Sequence, residues 1–198
     1  GVDVVMEKKI ITISREFGSG GRFIGEEIAK KLGYEFYDKT IIGKIAEETG
    51  FSEKFIEEKA EYAPTKNIFS YAFVGRNSSG MSIEDYLNSI QRKIILDAVE
   101  KGPCVIVGRC ADYILKDRED CVNVFIHGEM KNKLERIERI YNLSTKEAEK
   151  LIQETDRKRS INYKYYTEQI WGKSQNYTLT LNSSKLGYDK VIDIICNL

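Results

Sequence analysis

Residues 9–33, KIITISREFGSGGRFIGEEIAKKLG, restrict the fold more than any other part of the chain. Residues 9–14 form a short apolar, β-branched run, the composition of a buried strand. The run leads into Gly18-Ser19-Gly20-Gly21. Behind it Ile24, Ile28, Ala29 and Leu32 recur at helical spacing, and Gly33 stands where a helix ends on a left-handed residue. Glycines permit tight positive-φ turns and close approach of a ligand to the backbone. The amides that open a helix attract phosphate. A strand-to-helix turn that holds no ligand would share this pattern. Arg15, Glu16 and Arg22 surround the loop, and two arginines favour an anion over a bare turn.

A loop that holds a nucleoside triphosphate ordinarily ends in Gly-Lys-Ser or Gly-Lys-Thr, and here Gly21 stands at the lysine. Either Arg22 or Arg15 can supply the missing charge, because a guanidinium grips phosphate bidentately. If Arg22 does so, Phe23 falls where a magnesium-binding hydroxyl would be sought, so the sequence assigns no metal ligand.

The rest of the chain alternates. Residues 34–38, YEFYD, read as a second strand ending on an acid. Residues 40–102 are mostly helical, with an aromatic, loop-like stretch at 67–81. Strands follow at 103–108, 121–126 and 177–182, with helices between and after them. Ser144 with Glu147 three residues later is a capping box. Alternating strands and helices predict a parallel sheet with helices on both faces.

Composition limits the partners. Lys and Arg total 31 against 31 Asp and Glu, so no global field draws in nucleic acid or an acidic membrane. No stretch approaches the ~20 apolar residues of a membrane span, and no leader pattern opens the sequence. Cys104, Cys110, Cys121 and Cys196 form no C-x-x-C pair and read as reduced packing residues in a cytoplasmic protein. With His127 as the single histidine, a zinc site is not expected.

Ligands of open α/β sheets bind beyond the carboxyl ends of the strands. Asp38 lies there and can hold a sugar or base hydroxyl, cap the next helix, or do both. Arg109 follows the buried run 103–108 directly and can clamp a phosphate or form a surface ion pair, with Asp112 one helical turn beyond. Arg157, Lys158 and Arg159 are either a solvated helix face or cations offered to a transferring phosphate. Tyr163, Tyr165, Tyr166, Trp171 and His127 read as packing residues.

Taken together, ITISREFGSGGRFIGEEIAKKLGYEFYDKTII, CVIVGRCADYIL, DRKRSINYKYYTEQIWG and YTLTLNSSKLGYDKVIDII resemble the cytidylate kinase-like family, a divergent branch of the P-loop nucleoside monophosphate kinases. The resemblance implies a single P-loop kinase domain with a three-layer α/β/α core (residues 9–39, 103–141 and 173–198). It further implies a helical NMP-binding insertion at 40–102 and a short lid at 142–172. The implied reaction moves the γ-phosphate of ATP, with Mg2+, to CMP or dCMP. Carried over by position, Arg15, Gly18, Ser19, Gly20, Gly21 and Arg22 cradle ATP, Asp38, Arg109 and Asp112 hold the acceptor, and Arg22, Arg157 and Arg159 act on the transferring phosphate. The missing lysine leaves two alternatives: a nucleotide-binding regulator that does not catalyse, or a P-loop kinase for another small acceptor.

Overall fold

The computed structural model describes residues 8–60 and 80–198. Most of the aromatic stretch at 67–81 lies outside the described residues. Five strands form one all-parallel sheet in the order β2-β3-β1-β4-β5. They are β1 (Ile10–Arg15), β2 (Glu35–Tyr37), β3 (Cys104–Val107), β4 (Cys121–His127) and β5 (Leu179–Asn182). In the middle lies β1, with Ile10 opposite both Cys104 and Cys121. A strand covered on both faces is buried along its length, and even Thr12 and Ser14, which alternate with Ile11 and Ile13, are buried, with their hydroxyls facing Asn123 and Asp112.

On one face, Ile11, Ile13, Val105, Val107, Val122 and Val124 pack against α1 (Gly21–Leu32) and α9 (Tyr188–Cys196). On the other, Ile10, Cys104, Ile106 and Cys121 pack against α2 (Lys39–Thr49), α3 (Glu53–Ala60), α4 (Ile83–Glu100) and α5 (Ala111–Ile114). This is the predicted three-layer arrangement. The helices of segment 40–102 are not set apart from it: Ile41, Ile45, Leu87, Ile95 and Ala98 share one core with the strands. Burial of these five apolar side chains requires that α2 and α4 lie on the sheet.

The remaining helices are α6 (Met130–Tyr141), α7 (Thr145–Thr167) and α8 (Ser183–Leu186). Ile137 of α6 meets Ala148 and Ile152 of α7 in a small separate core. The Ser144–Glu147 capping box opens α7, and Gly33 closes α1 at φ 69°. The last strand is shorter than residues 177–182, because a 3-10 turn (Ser174–Asn176) delivers Tyr177 to a ring contact with Phe125 instead. Trp171 packs edge-on to the same ring. No cysteine is in a disulfide. Among the described residues no helix is long and apolar enough to cross a membrane.

Candidate active site

A cleft of about 760 Å³ runs along the carboxyl edge of the sheet, between the glycine loop, β2, β3 and α7. Five arginines and two lysines line it against four acids, so a chain without net charge presents a basic cleft. The glycine loop forms one wall. Gly18 and Gly20 take φ of 86° and 81°, a region that glycine enters at little cost. Gly20 is the N-cap of α1 and no side chain caps the helix there, so the first amides of α1 keep their phosphate-binding capacity. Ser19 is buried, and its hydroxyl donates to the Glu16 carbonyl at 2.8 Å.

Arg15 crosses the floor. Its stem lies over Gly21, where an added Cβ would collide with the Arg15 Cβ and stand 2.8 Å from its Cγ. Its guanidinium reaches β3, with Nη1 2.5 Å from where a Cβ on Gly108 would sit. Arg22 points elsewhere. Its Nε donates to Oδ2 of Asp38, whose side chain is nearly buried. Asp38 is the N-cap residue of α2 by position, but its carboxylate serves Arg22 and not the helix amides.

Across the cleft, Gly108, Arg109 and Cys110 take φ of 69°, 60° and 55°, three successive left-handed residues. For Arg109 and Cys110 such a backbone is costly and persists only where the surroundings enforce it. Gln91 of α4 does so: its Nε2 donates to the Arg109 carbonyl at 3.3 Å, and its Oε1 accepts from Arg109 Nη1 at 3.2 Å. Arg109 thereby faces the same cleft as the glycine loop.

Asp112 does not line that cleft. It is 3% exposed, and its carboxylate accepts from the Tyr163 hydroxyl at 2.8 Å and lies 3.5 Å from the Ser14 hydroxyl. Burial raises its carboxyl above the usual carboxylate range. The left-handed entry at Cys110 turns α5 so that the residue expected beside the acceptor faces the core. Burial likewise pushes the Cys110 thiol up to about 12, which excludes a thiolate nucleophile at neutral pH.

The cationic run on α7 divides by helical phase. Lys158 and Arg159 line the cleft, whereas Arg157 is exposed outside its lining. Neighbours on a helix point about 100° apart, so three adjacent cations cannot share one face. Arg159 Nη1 donates to the Arg15 carbonyl at 3.1 Å, and its guanidinium lies over the Phe17 ring.

Two important side chains did not stand out in the sequence. Asp156 accepts from the Phe17 amide at 2.8 Å. Lys133 of α6 is 5% exposed and pairs with Glu16 at 3.3 Å, while Glu16 also accepts from the Gly128 amide at 3.0 Å. Both occupy inward positions of amphipathic helices, Asp156 four residues after Ile152 and Lys133 four before Ile137. A charge on an apolar stripe is the signal that would have found them.

Basic residues that face one another across a glycine loop, at the carboxyl edge of a parallel sheet, are in keeping with a kinase-like P-loop fold. The chain belongs to the cytidylate kinase-like family, whose profile matches residues 10–185. Among solved structures it is similar to an uncharacterized protein from Eubacterium ventriosum ATCC 27560, at 25% identity and a TM-score of 0.73 over 95% of this chain and 96% of that one. It shares its fold with shikimate kinase from Bacteroides thetaiotaomicron, at 14% identity and a TM-score of 0.54 over 95% of this chain and 96% of the other. The same holds for shikimate kinase from Acinetobacter baumannii in complex with shikimate, at 16% identity and a TM-score of 0.54 over 96% and 92%. No curated protein is significantly similar to it in sequence.

Proposed function

We propose that the protein is an ATP-dependent nucleoside monophosphate kinase whose acceptor is CMP or dCMP. The observation that carries this reading is the facing pair of anion sites in one cleft, the uncapped start of α1 on one side and the Gln91-clamped Arg109 on the other. A phosphoryl transfer between two nucleotides needs both, held in line.

The loop fits a triphosphate: Gly18, Gly20 and Gly21 line the cleft, and a methyl on Gly20 would meet Tyr188 Cζ at 2.5 Å. Among the described residues no group of three acidic, cysteine or histidine side chains could hold a metal ion. Mg2+ keeps several waters and is bound through one or two carboxylates plus substrate phosphates, so it would enter with the ATP phosphates. Bound Mg·ATP supplies the transferable phosphoryl group and neutralises part of its charge. The chain's own residues do the rest. Amides at the start of α1 orient the donor phosphates, and Arg109 fixes the acceptor phosphate. Arg159 and Lys158 add positive charge from α7 where negative charge develops. Asp38, paired with Arg22, borders the acceptor side of the cleft.

A second reading, a P-loop kinase for another small acceptor, draws on the neutral amides of Gln91 and Asn162 in the cleft lining, since amides bind sugar or acid hydroxyls as readily as a base edge. ADP release coupled to a panel of nucleoside monophosphates and small hydroxy acids decides between them. Turnover that depends on CMP or dCMP supports the first reading. Turnover only with a hydroxy acid replaces it with the second. Protein that binds ATP but turns over nothing on the panel refutes the CMP/dCMP assignment.

A further inference from the structure

We propose that Arg15, and not Arg22, takes the part of the missing loop lysine, with its guanidinium between the donor and acceptor phosphates. The assignment rests on the kinase reading above and names the cation on which its transfer step depends.

The first argument is steric. Gly21 occupies the position where the lysine would stand, yet its backbone does not call for glycine, because it is absent from the positive-φ residues that include Gly18 and Gly20. What requires glycine there is the Arg15 stem, which fills the space a Cβ would need. The loop has exchanged a side chain at position 21 for one that arrives from the end of β1.

The second argument is direction. From Gly21 the Arg15 side chain runs to Gly108, the residue before Arg109. It therefore bridges the wall that receives the donor phosphates and the wall that receives the acceptor. The Arg15 backbone is fixed at the same point, since its carbonyl accepts from Arg159. A planar guanidinium held there offers two parallel N–H donors to phosphate oxygens in a fixed fork, where an ammonium acts as a point charge.

The third argument is the placement of the alternatives, which turn away from the line between Gly21 and Gly108. Arg22 donates to Asp38 at the end of β2, and its side chain is 55% exposed. Lys133 is buried against Glu16. In the transfer, the terminal P–O bond of the donor breaks, one forms to an acceptor phosphate oxygen, and the donor leaves as its diphosphate. Arg15 exchanges no proton; it stabilises charge on the oxygens in motion.

The test is a titration of ATP with Mg2+ into the full chain by calorimetry, with thermal melts to check folding. The proteins are wild type, R15Q, R15K, R22A, G21K and R15G/G21K. Loss of a charge-assisted contact predicts roughly 10–100-fold weaker binding in R15Q, with R15K between it and wild type. The loss in R22A should be at least about tenfold smaller than in R15Q, given that scale. G21K binds poorly because lysine and Arg15 collide, while R15G/G21K regains the lysine in the vacated space and binds better than either R15Q or G21K. R22A weaker than R15Q, or R15Q equal to wild type, overturns the assignment and leaves the kinase reading standing. Wild type that binds no ATP overturns both.

Discussion

Asp156 of α7 accepts the amide hydrogen of Phe17 at 2.8 Å, so the long helix is fastened directly to the backbone of the glycine loop. Burial raises the Asp156 carboxyl, and that amide and Arg159 pull it back. Asp156→Ala leaves the amide without its acceptor in a part-buried place and should cost about 1–3 kcal/mol in denaturant unfolding. Asp156→Asn keeps an acceptor and should cost clearly less. Equal losses in the two variants would show that charge, not the hydrogen bond, holds the helix.

Asp112 gives a pH dependence. Its carboxyl is raised by burial, so the folded protein binds the proton more tightly than the unfolded chain does. The stability tied to that proton is full below the ordinary carboxylate value and is lost as pH rises through the raised one. Asp112→Asn cannot lose it and can still accept from Tyr163. The melting temperature of the variant minus that of wild type should therefore grow more positive from pH 4 to pH 8. A difference that is flat or falls with pH contradicts the burial effect.

The pair of buried Lys133 with part-exposed Glu16 predicts a measurable coupling. Lys133→Met leaves the Glu16 carboxylate with the Gly128 amide and cleft solvent and should cost about 1.5–3 kcal/mol, the scale of a hydrogen bond to a charged group. Adding Glu16→Gln removes that charge and keeps an acceptor for the Gly128 amide, so the double variant should recover much of the loss. A double-mutant cycle in urea measures the coupling, and additive losses would rule it out.

Gln91 tests the acceptor wall. Gln91→Ala removes both contacts to Arg109 and loosens its left-handed turn. Under the kinase reading, kcat/KM for the acceptor should fall about 10–100-fold, the scale of hydrogen bonds to a charged group, while KM for ATP changes far less. An equal rise in KM for both substrates would place Gln91 outside the acceptor site.

Much of this architecture is legible in the sequence. The run IITIS, the glycines, the stripe Ile24–Ile28–Leu32 and Gly33 predict β1, the loop, α1 and its cap, and the structure has all four. These features depend on neighbours within one turn or one strand. The differences lie where a side chain answers to distant partners. Asp112 meets Tyr163, 51 residues away. Arg22 has two possible directions from the head of α1, and an acid 16 residues on settles which one it takes. Arg157 and Lys158 differ by a single helical step, and the phase of α7 is set by Ala148 and Ile152 in the small core with α6. Asp156 and Lys133 read as ordinary surface charges until the apolar stripe beneath them is traced.

The several attachments of α7 carry a mechanical meaning. At 23 residues it is a rod roughly 34 Å long. It is bedded on Ile137 near its start, tied to the glycine loop at Asp156 and Arg159, and tied to α5 through Tyr163. Near its far end the Tyr165 hydroxyl reaches Asp85 of α4, the helix that carries Gln91. A strut fastened at so many points cannot tilt alone, so it joins the glycine loop, α5 and α4 into one braced frame around the cleft.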